Sequence, residues 1–181
     1  MPKYAALLRG INVGRNKRVA MEDLRELLGR LGQVDVKTYL NSGNVIFTSR
    51  SKNARELASE IEQALDNTLG MTVRCVIRTD AELSAVIEGN PMVDASTDGS
   101  RMLALFLSEQ PDAAMLTAHD PSALGPDHIR VGERTVYQWC PDGILAAPNV
   151  SAFLEKHWKV VVTARNWNTV TKLAAALMQQ A

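Results

Sequence analysis

The first part of the chain alternates between short apolar runs and segments whose apolar residues recur every three or four positions. Residues 3–8 form an apolar run that is typical of a buried strand. A helix is predicted next, ended by Gly32, because these residues share one helical face: Met21, Leu24, Leu27, Leu28 and Leu31. Residues 36–40 and 45–48 are rich in strand-forming side chains and flank the turn-forming residues 41–44. This pattern predicts a strand, a helix and a β-hairpin.

A second helix and a further strand complete this predicted unit. Asn53 followed by Glu56 is typical of a helix start, and Leu57, Ile61, Leu65 and Leu69 share one face. Residues 73–78 then alternate in polarity and predict a strand with one buried face. The predicted element order over residues 1–79 is β-α-β-β-α-β, the ferredoxin-like unit.

Residues 80–181 show a looser version of the same order. Thr79 and Glu82 predict a capped helix, and residues 102–107 a strand. The remaining predicted elements are a short helix at 112–118, a hairpin from 129–131 and 135–140, a helical segment from 151, an extended segment at 160–162 and a terminal helix. We therefore predict an α+β protein in which a ferredoxin-like N-terminal subdomain, 1–79, and a C-terminal α+β subdomain, 80–181, form one compact unit. No repeat in the sequence itself supports a duplication.

Composition places the chain among ordinary globular proteins and leaves its function open. The 181 residues are 46% hydrophobic and 22% charged, with a net charge of zero. The charge is unevenly distributed, because residues 1–20 carry five cations and no anion while residues 80–142 carry 11 anions and three cations. Two isolated cysteines form neither a disulfide framework nor a metal cluster, and no signal peptide or apolar run of membrane length is present. We expect a cytoplasmic protein without a membrane partner.

The connection at residues 9–18 is the most informative segment of the sequence. It contains four cations and no carboxylate. Connections in compact domains are commonly shorter, and long ordered loops often carry function. We predict ligand contact from Arg9, Gly10, Asn12, Gly14 and Lys17.

The turn at residues 41–44 is predicted to lie beside this loop. In a ferredoxin-like unit the first two strands run parallel, so the connections that follow them leave the sheet at the same end. Asn41, Ser42 and Asn44 would then complete a polar rim able to bind an anion, either a phosphate-bearing metabolite or a nucleic acid. The structural alternative is that the glycines permit tight turns while the asparagines bind nearby backbone groups.

A third polar block precedes the last predicted helix and consists of Arg165, Asn166, Trp167 and Asn168. An arginine beside a helix start can hold an anion, and an indole can stack on a base or sugar. Alternatively, Trp167 anchors the helix to the core, Arg165 pairs with an acid from residues 80–142, and Asn168 or Thr169 caps the helix.

Spacing argues against the common catalytic and nucleotide-binding motifs. Three residues separate Gly10 from Gly14, and Arg18 occupies the hydroxyl position of a phosphate loop, so a Walker-type site is disfavoured. The glycine pattern of dinucleotide-binding folds is absent. The three histidines lack metal-ligand spacing, and Ser42 lacks a strand-turn-helix elbow.

Strand aromatics provide a separate indication of nucleic-acid binding. Tyr4 and Phe47 are predicted on neighbouring strands, where ferredoxin-like sheets can present rings to single strands. The aromatic content of 5% and the zero net charge favour core packing for both residues.

Three sequence blocks carry a resemblance to a known family. They are LLRGINVG at residues 7–14, YLNSGNVIF at 39–47 and RNWNTV at 165–170, the last with Lys172 and Leu173. Together they resemble the domain of unknown function 1697 family, a group of bacterial single-domain proteins, over the whole chain. Arg15 replaces the second glycine that this family usually shows after the first block. The resemblance implies an α+β fold with ferredoxin-like parts and no established activity.

Three functional hypotheses remain open. The chain is a binding protein for an anionic ligand, a small enzyme that uses the same arginines and asparagines with an unidentified base, or a protein-interaction module that uses its acidic middle. The residues indicate no cofactor, reaction or oligomeric state.

Overall fold

Two four-stranded antiparallel sheets and their helices make up the described chain. The structure is a computed structural model that describes residues 1–13, 15, 17–40 and 42–180. Unit 1 comprises Met1–Ser84 and the chain from Leu173 onward, and unit 2 comprises Ala85–Lys172.

Unit 1 has the predicted element order. Its elements are β1 (Lys3–Leu8), α1 (Met21–Arg30), β2 (Val34–Tyr39), β3 (Asn44–Thr48), α2 (Ala54–Leu69), β4 (Cys75–Thr79) and α3 (Asp80–Glu88), the last of which continues into unit 2. The strands lie in the spatial order β2-β3-β1-β4, and all neighbours are antiparallel. The first strand is therefore central, although it comes first in the chain.

Unit 2 has the same element order and the same strand order. Its elements are β5 (Met102–Leu107), α4 (Ala113–Ala118), β6 (Ile129–Gly132), β7 (Thr135–Trp139), α5 (Val150–Trp158), β8 (Val162–Asn166) and α6 (Trp167–Gln179), which continues into unit 1. The strands lie in the order β6-β7-β5-β8, again with antiparallel neighbours. The similarity predicted between the two halves thus extends to their spatial arrangement, without a matching repeat in the sequence.

The core of unit 1 lies between its sheet and the apolar faces of α1 and α2. Leu24, Leu28, Leu57 and Ile61 are buried against β1, β3 and β4. Asn53 caps α2, because its Oδ1 accepts hydrogen bonds from the backbone amides of Arg55 and Glu56. The helical periodicity in the sequence therefore identified the faces that pack on the sheet.

The face of this sheet opposite α1 and α2 is buried as well. Ala5, Leu7 and Ile46 on that face are completely buried, or nearly so. Residues 73–78 were predicted to bury one face, but the strand begins at Cys75 and buries both, with Arg78 only 2% exposed. The guanidinium of Arg78 donates a hydrogen bond to the carbonyl of Ile77, 2.9 Å away, so its polar end has a partner inside the protein.

Unit 2 packs its helix α5 on one face of its sheet. Leu154, Trp158 and Val150 contact a cluster that includes Leu105 and Val136. The indole of Trp158 donates a hydrogen bond to the carbonyl of His119, which fixes the end of α4 against α5. None of the helices in the described part of the chain combines the length and apolarity that a membrane crossing requires.

The turn between β2 and β3 depends on one glycine. Gly43 has a φ of +79°, and its carbonyl accepts a hydrogen bond from the backbone amide of Leu8 at 2.9 Å. A Cβ atom at this position would lie 2.8 Å from the Cβ of Leu8 and 2.9 Å from the side chain of Ile11. The turn can therefore approach β1 only when it carries no side chain here.

We expect Gly43→Ala to destabilise the fold strongly, because it combines a left-handed φ with a steric overlap. The two effects cost about 1–2 kcal/mol and about 1–3 kcal/mol. Gly70→Ala is the matched control, since Gly70 has a φ of +61° but open space around it. Urea denaturation of both variants should give the larger loss for Gly43→Ala, and equal losses would contradict the steric argument.

Two histidines of unit 2 form a stacked pair. The rings of His119 and His157 lie 4.4 Å apart, and the ring of Phe153 lies 4.6 Å from that of His157. Burial, the neighbouring imidazole of His119, and the ammonium groups of Lys156 and Lys159 lower the pKa of His157 below 6.5. The folded protein therefore binds this proton more weakly than the unfolded chain does.

Because the pKa of His157 is lowered on folding, we expect the free energy of unfolding to fall as the pH drops from above 6.5 through the lowered value. His157→Gln should flatten this dependence between about pH 7.5 and pH 5, a range that spans the histidine titration. His128→Gln, which replaces an exposed histidine outside the stacked pair, is the control for the substitution itself. Chemical denaturation at several pH values measures the slope, and equal slopes for wild type and His157→Gln would rule out this contribution.

Candidate functional site

Three connections of unit 1 meet at one end of its sheet. They are residues 9–20 after β1, 40–43 after β2 and 70–74 before β4. The amide of Leu8 donates to the carbonyl of Gly43, and the amide of Arg9 donates to the carbonyl of Arg74, each at 2.9 Å. The predicted proximity of the basic loop and the hairpin turn is thus confirmed, whereas Gly14, Asn16 and Asn41 lie outside the described residues. We call this region the basic end.

Asn12 fastens the loop of the basic end to itself. Its side-chain Nδ2 donates to the carbonyl of Val19, and its Oδ1 accepts from the amide of Val19, both at 2.9 Å. The backbone amide of Asn12 also donates to the carbonyl of Lys17. Asn12 and Lys17 have positive φ angles of 54° and 49°, which are uncommon for residues other than glycine. These hydrogen bonds join Asn12, near the start of the loop, to Lys17 and Val19, near its end.

The cations of this loop extend to the surface. Arg9, Arg15, Lys17 and Arg18 are all exposed. The ammonium of Lys17 donates to the carbonyl of Thr72 at 2.9 Å, which ties the loop to the connection before β4. Gly10 is exposed with a φ of +67° and open space around it. The loop thus presents its charges from a backbone that is tied down at both ends.

The side chain of Asn44 stabilises the turn beside the loop. It is completely buried, and its Nδ2 donates to the carbonyl of Tyr39 at 3.0 Å and to the hydroxyl of Ser42 at 2.9 Å. These bonds hold the turn closed on β3. The side-chain amide is therefore committed to the fold, in agreement with the structural alternative for this asparagine.

Residues 70–74, the third connection of the basic end, were not among the site residues predicted from the sequence. Arg74 is half-exposed, and its Nε lies 3.3 Å from the Oε1 of Glu62. The same carboxylate oxygen accepts the amide of Cys75 at 2.8 Å. The position of this connection follows from strand direction. Because β4 runs antiparallel to β1, it starts at the end of the sheet where β1 finishes. Glu62 thus places one carboxylate beside Arg74 at this end of the sheet.

The block at residues 165–168 forms the junction between β8 and α6. Arg165 and Asn166 are the last residues of β8, and Trp167 and Asn168 the first of α6. The predicted helix caps Asn168 and Thr169 were wrong, since the Oδ1 of Asn166 accepts the amide of Thr169 at 3.0 Å. A strand that runs directly into a helix places the capping side chain on its last residue.

Arg165 has a counterpart in unit 1. Arg165 lies opposite Ala104 on the central strand of its sheet, as Arg78 lies opposite Ala5. In each case one Nη1 donates to the carbonyl of the preceding residue at 2.9 Å. The next residue then caps the following helix, Asn166 in unit 2 and Thr79 in unit 1. Since both units share this arrangement, we interpret it as part of the fold.

Trp167 contacts groups within unit 2. Its amide donates to the carbonyl of Gly99 at 3.0 Å, and its ring lies 6.4 Å from that of Tyr137. Asn168 lies so close to Gly99 that a Cβ there would overlap its side chain. The contacts of this block with Gly99 and Tyr137 were not predicted from the sequence, because contacts between residues far apart in the chain produce no periodic pattern.

A small cleft of about 160 Å³ in unit 2 brings together a cysteine, a histidine and an acid. His128, Cys140 and Asp142 line it. Cys140 is completely buried, and burial raises the pKa of its thiol. A thiol nucleophile needs a lowered pKa, whereas burial raises the pKa of Cys140. No group of three or more metal-binding side chains occurs in the described part of the chain.

The aromatic residues of β1 and β3 lie in the core of unit 1. Tyr4 and Phe47 are 2% and 0% exposed, and their rings lie 5.7 Å apart in the core. This confirms the core interpretation of both residues. Neither of these two rings is therefore available to stack on the bases of a single strand.

We expect Asn12→Gly to destabilise the basic end by about 2 kcal/mol, because the amide and carbonyl of the buried Val19 lose their partners. Glycine tolerates the positive φ, so the loss reports the side chain alone. Leu40→Gly is the control, since Leu40 also has a positive φ but an exposed side chain. Denaturation and hydrogen exchange at the Val19 amide measure the effect, and unchanged exchange would show that these bonds do not hold the loop.

Comparison with known proteins supports the fold and adds no activity. The conserved bacterial protein SP0830 from Streptococcus pneumoniae is similar in structure, with a TM-score of 0.74 and 26% sequence identity over 99% of each chain. None of the curated proteins matches the chain. Residues 1–137 match the family described as protein of unknown function DUF1697. The chain therefore belongs to the DUF1697 family of proteins of unknown function.

Proposed function

We propose that the basic end of unit 1 binds a phosphate-bearing ligand, either a metabolite or a nucleic acid. The observation that carries this proposal is a difference between the two units. The connection from β1 to α1 has 12 residues, 9–20, whereas its counterpart from β5 to α4 has five, 108–112. The same strand order is thus built with a much shorter connection, so the additional residues of unit 1 are not needed to join these elements.

The chemistry of the two connections differs as well as their length. The longer one carries four cations and no carboxylate, whereas the shorter one carries two carboxylates and no cation. Arginine and lysine are the side chains that bind phosphate oxygens through charge-assisted hydrogen bonds. The surplus residues of unit 1 therefore supply the groups that an anionic ligand requires.

The loop conformation supports a binding role. A positive φ at Asn12 and Lys17 costs free energy at each residue, and such outliers cluster at ligand sites. The hydrogen bonds from Asn12 to Val19 hold this conformation in the free protein. Hydrogen bonds that exist before binding reduce the conformational entropy that is lost when a ligand binds.

Exposure and hydrogen bonding support different proposed roles for the predicted residues. Arg9 and Lys17 are exposed and are the proposed ligand contacts, together with their neighbours Arg15 and Arg18. Asn12 and Asn44 bind backbone groups and hold the loop and the turn in shape. Gly10 follows Arg9 in the chain, and ligand contact by Gly14, Asn41, Ser42 and the block at 165–168 stays a prediction.

We expect Arg9→Ala combined with Lys17→Ala to weaken binding to inorganic pyrophosphate, a nucleoside diphosphate or a 12-nucleotide single strand by about tenfold or more. For the single strand, the slope of log affinity against log salt should fall by about 1.4 for two lost phosphate contacts. Titrations at several salt concentrations measure both effects, and the relative affinities of the three probes distinguish a metabolite from a nucleic acid.

The matched control is Arg50→Ala combined with Lys52→Ala. It removes the same charge from two exposed residues that follow β3, at the other end of the sheet. This control should retain the salt-sensitive binding. Equal losses in the two double variants would indicate a general charge effect, and no loss in the first would refute the proposed site.

A further inference from the structure

Unit 2 also has connections that are longer than their counterparts. The connection from β7 to α5 has ten residues, 140–149, whereas that from β3 to α2 has five, 49–53. The connection from α4 to β6, residues 119–128, is likewise longer than residues 31–33 of unit 1. We call residues 140–149 the strap. Since five residues join the equivalent strand and helix of unit 1, joining them does not require a strap of this length.

Hydrogen bonds hold the strap in a defined conformation. The buried side chain of Gln138 donates from Nε2 to the carbonyl of Pro148 at 2.9 Å, and Arg101 donates to the carbonyl of Pro141 at 2.7 Å. Gly143 turns the chain with a φ of +95° and donates to the carbonyl of Cys140 at 3.0 Å. The strap is therefore fixed at both ends and at its turn.

This fixed strap holds two large aliphatic side chains in water. Ile144 is 47% exposed and Leu145 is fully exposed. Removing apolar surface from water stabilises a protein by about 25 cal/mol per Å². Exposed aliphatic side chains make this contribution only when a partner covers them. Exposure of both side chains beside a cleft indicates a surface that a ligand completes.

A cleft of about 350 Å³ lies between the strap and the end of the sheet. Leu103 and Ala164 line it from the sheet, Ile144 and Leu145 from the strap, and Val150 from the start of α5. Its polar lining consists of Gln138, Asn149 and Ser151, and no lining residue is charged. The volume lies at the lower limit of small-molecule sites, which are predominantly apolar with a few polar groups.

The lining specifies the class of ligand. A charged ligand would lose its hydration without gaining an opposite charge, so the uncharged cleft favours a neutral one. Gln138 lines the cleft, is 3% exposed and donates from its Nε2 to Pro148, and the oxygen of a carboxamide is a hydrogen-bond acceptor. Asn149 uses its Oδ1 to accept the amide of Ala152 and caps α5. We infer that this cleft binds a small, neutral and mainly aliphatic molecule that carries a hydrogen-bond donor.

Three six-carbon probes with different head groups test this inference on the full chain. They are hexanamide, hexanoate and hexylammonium. The binding of each probe is measured from the amide chemical shifts of the protein in an NMR titration. We expect hexanamide to give saturable shifts at residues that line the cleft, and the two charged probes to bind at least about tenfold more weakly. Equal binding of the three probes, or no saturable shift with hexanamide, would overturn the inference.

Two variants locate the site. Ser151→Leu fills the cleft from the first turn of α5 and should weaken hexanamide binding by about tenfold or more, whereas Ala152→Leu changes the next, exposed residue and should leave it intact. Leu145→Ser should weaken binding without lowering the melting temperature, because Leu145 is exposed in the free protein. Binding that survives both Ser151→Leu and Leu145→Ser would place the probe elsewhere and refute the assignment.

Discussion

The hydrogen bonding of β1 along both of its edges is the constraint on which unit 1 depends. β1 pairs with β3 on one side and with β4 on the other, so residues Ala5 to Leu8 are all buried. Because β3 occupies the place next to β1, the chain must pass over the sheet through α1 to reach β2. This arrangement brings the exit of β1, the turn before β3 and the start of β4 to one end. The same geometry around β5 organises unit 2.

The repeated arrangement separates the requirements of the fold from its additions. An arginine opposite an alanine of the central strand, followed by a capping residue, occurs in both units and is explained by the junction of a strand with a helix. The basic loop and the strap have no counterpart of equal length. One presents cations and the other aliphatic side chains, so the two connections differ in the chemistry of the surface that they expose.

Side-chain amides hold the irregular segments of both units. Asn12 binds both backbone groups of Val19, Asn44 closes the hairpin turn, and Gln138 holds the strap at Pro148. Loops leave backbone groups without the partners that helices and strands provide, and a side-chain amide supplies both a donor and an acceptor. An asparagine in a glycine-rich loop is therefore ambiguous in a sequence, since loop closure and ligand binding require the same residue type.

The sequence by itself determined the elements, because periodicity and capping act between neighbours in the chain. It predicted the order β-α-β-β-α-β, the apolar faces of α1 and α2 and the position of the basic loop beside the turn at Gly43. It did not reveal the burial of Arg78, the cap at Asn166, the contribution of Arg74 or the cleft beneath the strap. These features depend on strand pairing and on contacts between distant residues, for which a linear pattern contains no signal. Tertiary structure alone decided which polar side chains bind the protein's own backbone and which extend into solvent.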